Sequence, residues 1–349
     1  LLAVHSTSID MVFPAVPALR TEFALSPGTA QLTVGAFFLS FGITQLFFGP
    51  IADRIGRRPV ILVAMGLYSV AAIAATFAPT FGWLIAARVV QGAGAAAGPS
   101  LARTVLRDVY GPARSSAVMG YLMAGFGVMA VIAPVMGGAL TAGLGWRSVF
   151  GFNALYGVLI MALCAATLPE TRPTSATLAA RPRLFAGFAL LLRSPRFIAL
   201  ALCNCLSYGA LFAWLSGGFF VLIETAGLGP DTAGVYLSLS IAGFILGSAL
   251  GGRLTARLGN RRKIVFGAFV CFGSAAALAG VAASGQSGVA GLVAPAFVFL
   301  LGLGFVNPTA TAAAIAPFPA HAGTASSLVG FIQTLAGAAS VQATGYLYD

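Results

Sequence analysis

Charge is scarce in this chain. Of 349 residues only 8% are Asp, Glu, Lys or Arg, whereas 59% are hydrophobic and the mean hydropathy is +0.96. Such a composition cannot cover itself with a water-compatible surface, which excludes an ordinary soluble domain and predicts an integral membrane protein. Histidine is scarcer still, with only His5 and His321. The sequence shows no metal-ligand cluster, nucleophile motif or phosphate loop, so a membrane enzyme is disfavoured and neither cofactor nor metal is expected. The four cysteines, Cys164, Cys203, Cys205 and Cys271, all fall in apolar stretches where a thiol packs as a small apolar group, so no disulfide framework is indicated. Short segments that alternate apolar and polar residues, the mark of a membrane barrel, are also lacking.

What the chain has instead is a succession of apolar runs about 20 residues long, each enough to cross a bilayer as a helix. Eleven are counted, spanning approximately 1–19, 31–51, 59–78, 81–102, 115–142, 147–168, 197–223, 233–252, 264–283, 289–316 and 323–347. The predicted fold class is therefore all-α and membrane-spanning. The chain opens inside its first run, without Met or a basic flank, and stops at Asp349 just after the eleventh. An even count would need a twelfth helix, so the expectation is a fragment of a longer protein.

Net charge is +11, and its placement is more informative than its sum. Lys and Arg accumulate in cytoplasmic loops of membrane proteins. With the first span running outward, one side receives Arg54, Arg57 and Arg58, then Arg103, Arg107 and Arg114, then Arg172, Arg181, Arg183, Arg193 and Arg196, and finally Arg253, Arg257, Arg261, Arg262 and Lys263. The other side receives only Arg20 and Arg147, and Arg88 lies inside span 4. This asymmetry makes the arginine-rich turns cytoplasmic and removes any need for a nucleic-acid partner.

The longest polar interval, Pro169 to Phe185, reads as a mobile linker. It divides the chain into an N-terminal six-helix bundle at 1–168, a cytoplasmic linker at 169–196 and an incomplete C-terminal bundle at 197–349. Sliding one half against the other by 203 residues lays "GPIADRIGRRPVI" over "GRLTARLGNRRKI", pairing Gly49 with Gly252, Arg54 with Arg257, Gly56 with Gly259, Arg58 with Arg261 and Ile61 with Ile264. Repeated halves joined in this way are the plan of a secondary transporter whose site lies between them.

These residues resemble the major facilitator superfamily along essentially the whole chain. "GPIADRIGRR" is similar to its signature after helix 2, with Gly49, Asp53, Arg54, Gly56, Arg57 and Arg58 in place, and "RVVQGAGAA" resembles its helix 4 signature through Arg88, Gln91, Gly92 and Gly94. "APVMGG" resembles the helix 5 motif of drug:proton antiporters through Pro134, Gly137 and Gly138, although Ala133 and Met129 stand where glycines are expected. "SIDMVFPAVPAL", "GWRSVF" with Asn153, "LPET", "NPTATAAA" and "AGTASSLVGFIQ" resemble the bacterial Bcr/CflA efflux branch. The resemblance implies proton-driven export of small amphiphilic drugs by a monomer in the bacterial inner membrane. A metabolite facilitator or exchanger is the alternative, and a non-transporting sensor or scaffold the remote one.

Candidate sites follow from physics. Asp10 lies roughly 14 Å inside the boundary marked by Arg20, near the bilayer centre, where an ionised Asp costs about 2.5 to 3.5 kcal/mol. Burial favours its protonated form and water favours the ionised one, so alternating exposure would load and unload a proton; a structural hydrogen-bonding role beside Pro14 and Pro17 is the alternative. Arg88 and Gln91 share a face of span 4 and need partners, either Asp10, water or substrate, or neighbouring backbones. Asn204, Tyr208, Trp214, Asn307 and Gln333 are candidates for the rest of a substrate cavity. Asp53 stands where it could meet the positive end of the eleventh helix near Ala322 and Gly323, a latch between halves that the repeat lacks because Ala256 takes its place; the plainer alternative is that it neutralises neighbouring arginines.

Overall fold

In lipid a backbone must satisfy its own polar groups, and a chain with no barrel pattern does so as helices. The computed structural model describes residues 1–171, 184–284, 288–318 and 322–348. Residues 172–183 of the expected linker, with Arg172, Arg181 and Arg183, lie outside the described residues, as do His321 and Asp349 and the side chains of Arg103, Arg107, Arg114, Ala256, Arg257 and Ala322.

The helices are α1 (Val4–Ile9), α2 (Val16–Glu22), α3 (Pro27–Ile55), α4 (Arg57–Thr76), α5 (Phe81–Ala95), α6 (Ala97–Leu144), α7 (Arg147–Thr167), α8 (Leu184–Leu192), α9 (Pro195–Phe220), α10 (Pro230–Arg253), α11 (Thr255–Ala283), α12 (Val289–Ile315) and α13 (Ala322–Tyr348). Among the described residues nine helices are long and apolar enough to cross a membrane. The two further runs counted in the sequence are present but broken. The first is divided into α1, a 3₁₀ turn at Phe13–Ala15 and α2, because Pro14 and Pro17 offer no N–H to the carbonyls four residues back. The fourth is interrupted at Ala96, where Pro99 leaves the Ala95 carbonyl without its helical partner.

The arginine-rich turns are tighter than a loop. Helix α3 runs to Ile55 and α4 starts at Arg57, so the turn in "GPIADRIGRRPV" is Gly56 alone. It has φ 117° and ψ 154°, a region essentially reserved for glycine. The same solution recurs at Gly111 inside α6 (φ 70°, ψ 168°) and at Gly259 inside α11 (φ 69°, ψ 166°). Gly56 and Gly259 are the pair that the repeat superimposes. The end of the expected linker also differs from a mobile coil: "LFAGFALLL" forms α8, and its Leu191 is buried against Phe197 of α9 and Ala325 of α13.

Within the first half, α3 and α4 pack on α5, and α4 on α7; within the second, α12 is flanked by α9, α10 and α11. Two seams join the halves, α3 along α13 and α6 along α10. Leucines, valines and phenylalanines remain exposed on the outer faces, as with Val70, Leu206, Phe269 and Phe272, where lipid tails replace water as solvent.

Candidate functional site

Proline sets the site's geometry. Because Pro14 cannot donate to the Asp10 carbonyl, α1 stops at Ile9 and Asp10 becomes its C-cap, its N–H reaching the Ser6 carbonyl at 2.8 Å. The next turn is tighter, with the Ala15 N–H donating to Val12 at 2.9 Å. That leaves the Met11 carbonyl outside the helical ladder, and Gly137 of α6 sits directly on it, where a methyl group would collide with backbone. Gly138 lies equally close to Pro230 at the start of α10, and Gly234 of α10 lies on the Pro134 carbonyl. Pro134, Gly137 and Gly138 thus form a seam on which α6 touches the break in the first span on one side and the opposite half on the other. Small residues at such seams let backbones meet and slide.

Asp10 is 5% exposed, and none of the ion pairs among the described residues includes it. Ser6, one turn back, is buried as well.

Arg88 does not reach Asp10. It is fully buried, with Nε donating to the Thr33 carbonyl at 2.8 Å, Nη2 to the Ser8 carbonyl at 2.9 Å and Nη1 to Gln91 Oε1 at 2.7 Å. Its guanidinium carbon lies 4.3 Å from the centre of the Phe37 ring and 5.7 Å from that of Phe150. Tyr68 joins through a 2.7 Å hydrogen bond to Ser8. In this conformation Arg88 and Gln91 brace α1, α3 and α5 and have no accessible surface.

The second half has an amide brace in place of the arginine. Asn204 donates to the Asn307 carbonyl at 3.2 Å and to Thr311 Oγ1 at 2.6 Å, and Asn307 donates to Ser207 Oγ at 3.3 Å, tying α9 to α12. Asn204 and Asn307 are buried. Of the expected cavity residues, Tyr208, Trp214 and Gln333 retain accessible surface. Trp214 Nε1 is buried without a partner, and Tyr208 packs on Phe212 at 4.7 Å between ring centres.

At the arginine-rich end, Asp53 is largely exposed and pairs with Arg57 at 3.0 Å. Arg57 also meets Asp108 at 3.2 Å, and Arg58 donates to the Ala165 carbonyl at 2.7 Å. Glu170 accepts the backbone N–H groups of Arg57 and Arg58, at 3.0 and 3.3 Å, and so caps α4 where the helix dipole favours a carboxylate. Arg54 has partners as well, and the space around Gly49 is open. The interactions described here stay within the first half.

At the other end the contacts cross between halves. Arg20 pairs with Glu224 at 2.6 Å, and Gln342 donates to the Gly28 carbonyl at 2.7 Å. Nearby, Glu22 accepts from Trp146 at 2.6 Å and pairs with Arg147 at 2.6 Å, and these contacts hold its carboxyl below the usual glutamate range. Sequence reasoning missed Asp108, Glu170, Glu224 and Gln342. The acids could have been found by asking where each of only eight falls: Glu170 and Glu224 follow the ends of α7 and α9, and Asp108 lies just before the break in α6 at Gly111.

The sequence profile of the Major Facilitator Superfamily matches residues 1–341. Multidrug resistance protein D of Escherichia coli (strain K12) is 32% identical over 338 residues, covering 96% of this chain and 84% of that protein. A bicyclomycin resistance protein homolog from Haemophilus influenzae is 28% identical over 337 residues, covering 95% of this chain and 83% of its own length. Among solved structures, a bacterial homolog to the human lysosomal transporter Spinster matches with a TM-score of 0.78 at 20% identity, over 99% of this chain and 81% of that one. On the helix plan, the signature residues and these likenesses, the chain belongs to the Major Facilitator Superfamily and is a multi-pass membrane transporter.

Proposed function

We propose that the protein is a proton-driven exporter of small amphiphilic molecules, working as a monomer in the bacterial inner membrane with its arginine-rich turns in the cytoplasm. Two bodies, residues 1–168 and 197–349, rock about the seams between them, with 169–196 as the linker. Asp10 carries the reading: a buried carboxyl without a cation, placed where the first span is broken and where both halves come within reach. Intramembrane ionisable groups are costly and mark ion pathways. Enclosed, Asp10 keeps its proton; exposed to water, it releases it.

The conformation fits one stage of that cycle. Cross-half contacts close the Arg20 end, while the described charges at the arginine-rich end pair within one half. On this reading the arginine-rich end is the open one, and Asp53 would meet the start of α13 when that end closes. The names of the multidrug and bicyclomycin relatives support a drug-like substrate.

The test is efflux of a fluorescent amphiphile and of chloramphenicol from vesicles carrying the protein, with and without a proton gradient, beside Asp10→Asn. The reading predicts gradient-driven efflux that the variant loses while still binding substrate. Wild-type efflux indifferent to the gradient would transfer the protein to the metabolite facilitators.

A further inference from the structure

Helix α8 takes no part in the mechanism above, and its composition is unlike that of a connecting segment. None of the nine residues of "LFAGFALLL" is polar, yet at about 1.5 Å per residue the helix is roughly 14 Å long, less than half the thickness of a hydrocarbon core. It is too short to cross a bilayer. One face packs on the second half: Leu191 is buried against Phe197 and Ala325, Phe188 lies against the same cluster, and a Cβ on Gly187 would come within 3.2 Å of Thr324. The other face consists of Ala189, Leu190 and Leu192, with the two leucines 49% and 52% exposed. A helix facing water would carry polar residues there.

The turn after α8 holds charge without counter-charge. Ser194 caps α9 by accepting the Phe197 N–H at 3.4 Å, and to either side of it Arg193 and Arg196 are exposed. Neither guanidinium has an ion pair or hydrogen bond among the described residues. From Thr171 to Ile223 the sequence has five arginines and no acid. The matching end of the first half differs, since Arg57 meets Asp53 and Asp108, and Glu170 caps the helix start. Arginines are common in the cytoplasmic loops of any membrane protein. What singles out Arg193 and Arg196 is that they stand unneutralised beside an apolar face that water covers poorly.

We propose that α8 and the turn after it form a binding site for anionic phospholipid. The helix lies at the bilayer interface with Ala189, Leu190 and Leu192 against acyl chains, and Arg193 and Arg196 hold the phosphate-bearing headgroup. One class of molecule meets both demands, an apolar cover and a negative charge, and the membrane around a multi-pass transporter supplies it. Because α8 packs on the starts of α9 and α13, the lipid is held by the second half and moves with it. The leaflet concerned, and any bearing on the rocking cycle, rest on the exporter reading; the binding does not.

The experiment uses the full chain in a cysteine-free background, with a bimane fluorophore at Leu192→Cys, in nanodiscs that mix brominated phosphatidylglycerol or brominated phosphatidylcholine with unbrominated lipid. Bromine quenches on contact, so the two titrations give the relative affinity of each lipid for the α8 face. The anionic lipid should be favoured by about tenfold to thirtyfold, and Arg193→Gln and Arg196→Gln should each lower that preference about fivefold, the equivalent of about 1 kcal/mol per arginine at a membrane surface. Arg193→Lys with Arg196→Lys keeps the charge and should keep most of the preference. The same fluorophore at Val63→Cys, an exposed position near the start of α4 where Arg57 is paired with acids, should be quenched by both lipids alike. Absence of quenching at Leu192, equal quenching there by both lipids, a preference unchanged by the double glutamine variant, or an equal preference at Val63 would overturn the proposal. A preference abolished by inorganic phosphate at constant ionic strength would also overturn it, by making the site one for free phosphate. Loss of gradient-driven efflux with the lipid preference intact would instead count against the exporter reading alone.

Discussion

The two halves follow one plan but place their polar residues differently. The first half encloses charge: Asp10 stands at a broken helix, and Arg88 binds two backbone carbonyls and Gln91. In the second half the corresponding work is done by neutral amides, Asn204 and Asn307, on an α9 that is helical from Pro195 to Phe220. A buried amide needs only partners for its hydrogen bonds, whereas a buried charge also stays sensitive to water and to neighbouring ions. On the proposed reading, energy coupling would lie in the first half, with the second as the surface it moves against.

The strongest way to break this contrast is Asp10→Asn, which replaces the enclosed carboxyl by an amide of the kind the second half uses and leaves Arg88 in place. Gradient-driven efflux should fall to the leak rate while the thermal unfolding midpoint is kept, since an amide fits the same space. Next in size, Arg88→Met should destabilise the protein by about 3 kcal/mol, because three acceptors lose their donor in a buried site, and Asn307→Ala by about 1 to 2 kcal/mol. Unfolding in mild denaturant measures both, and equal losses would erase the distinction between the braces. Gly137→Ala tests the seam on the broken span. Its methyl group collides with the Met11 backbone, so transport should drop more than it does for Gly127→Ala, whose nearest neighbour is an Ile245 side chain at 3.5 Å. Arg20→Gln with Glu224→Gln removes a half-exposed cross-half pair worth less than about 1 kcal/mol, and should show as faster outward opening rather than lost stability.

The smallest effect concerns Glu22. Its carboxyl titrates below the usual range because Trp146, and then Arg147, hold the ionised form. The stability it contributes is present above the unfolded glutamate value of about 4.3 and is lost as pH falls through the lower folded value. Glu22→Gln should therefore be less stable than wild type at neutral pH, and the difference should vanish in acid.

Much of this was legible in the sequence because membrane helices are written in long apolar runs and punctuated by charge. The same signals hid the details. A hydropathy run does not show that Pro14 and Pro17 break the first span at Asp10, and a cluster of arginines looks like a loop when Gly56 alone makes the turn. Arg88 and Asn204 read as cavity residues because a polar residue in an apolar run has two explanations, a ligand or a neighbouring backbone, and only the fold shows which carbonyls come within reach.

The central claim, that two bodies rock so that one end closes as the other opens, is tested most directly by paired spin-label distances in a cysteine-free background. One pair joins Ile55 and Gly323 at the arginine-rich end, and the other joins Leu144 and Leu347 at the Arg20 end, all at exposed positions. Between alkaline and acidic pH the two distances should change in opposite directions in the wild type and should stay fixed in Asp10→Asn. Distances that change together, or that respond to pH as fully in the variant as in the wild type, would contradict the account.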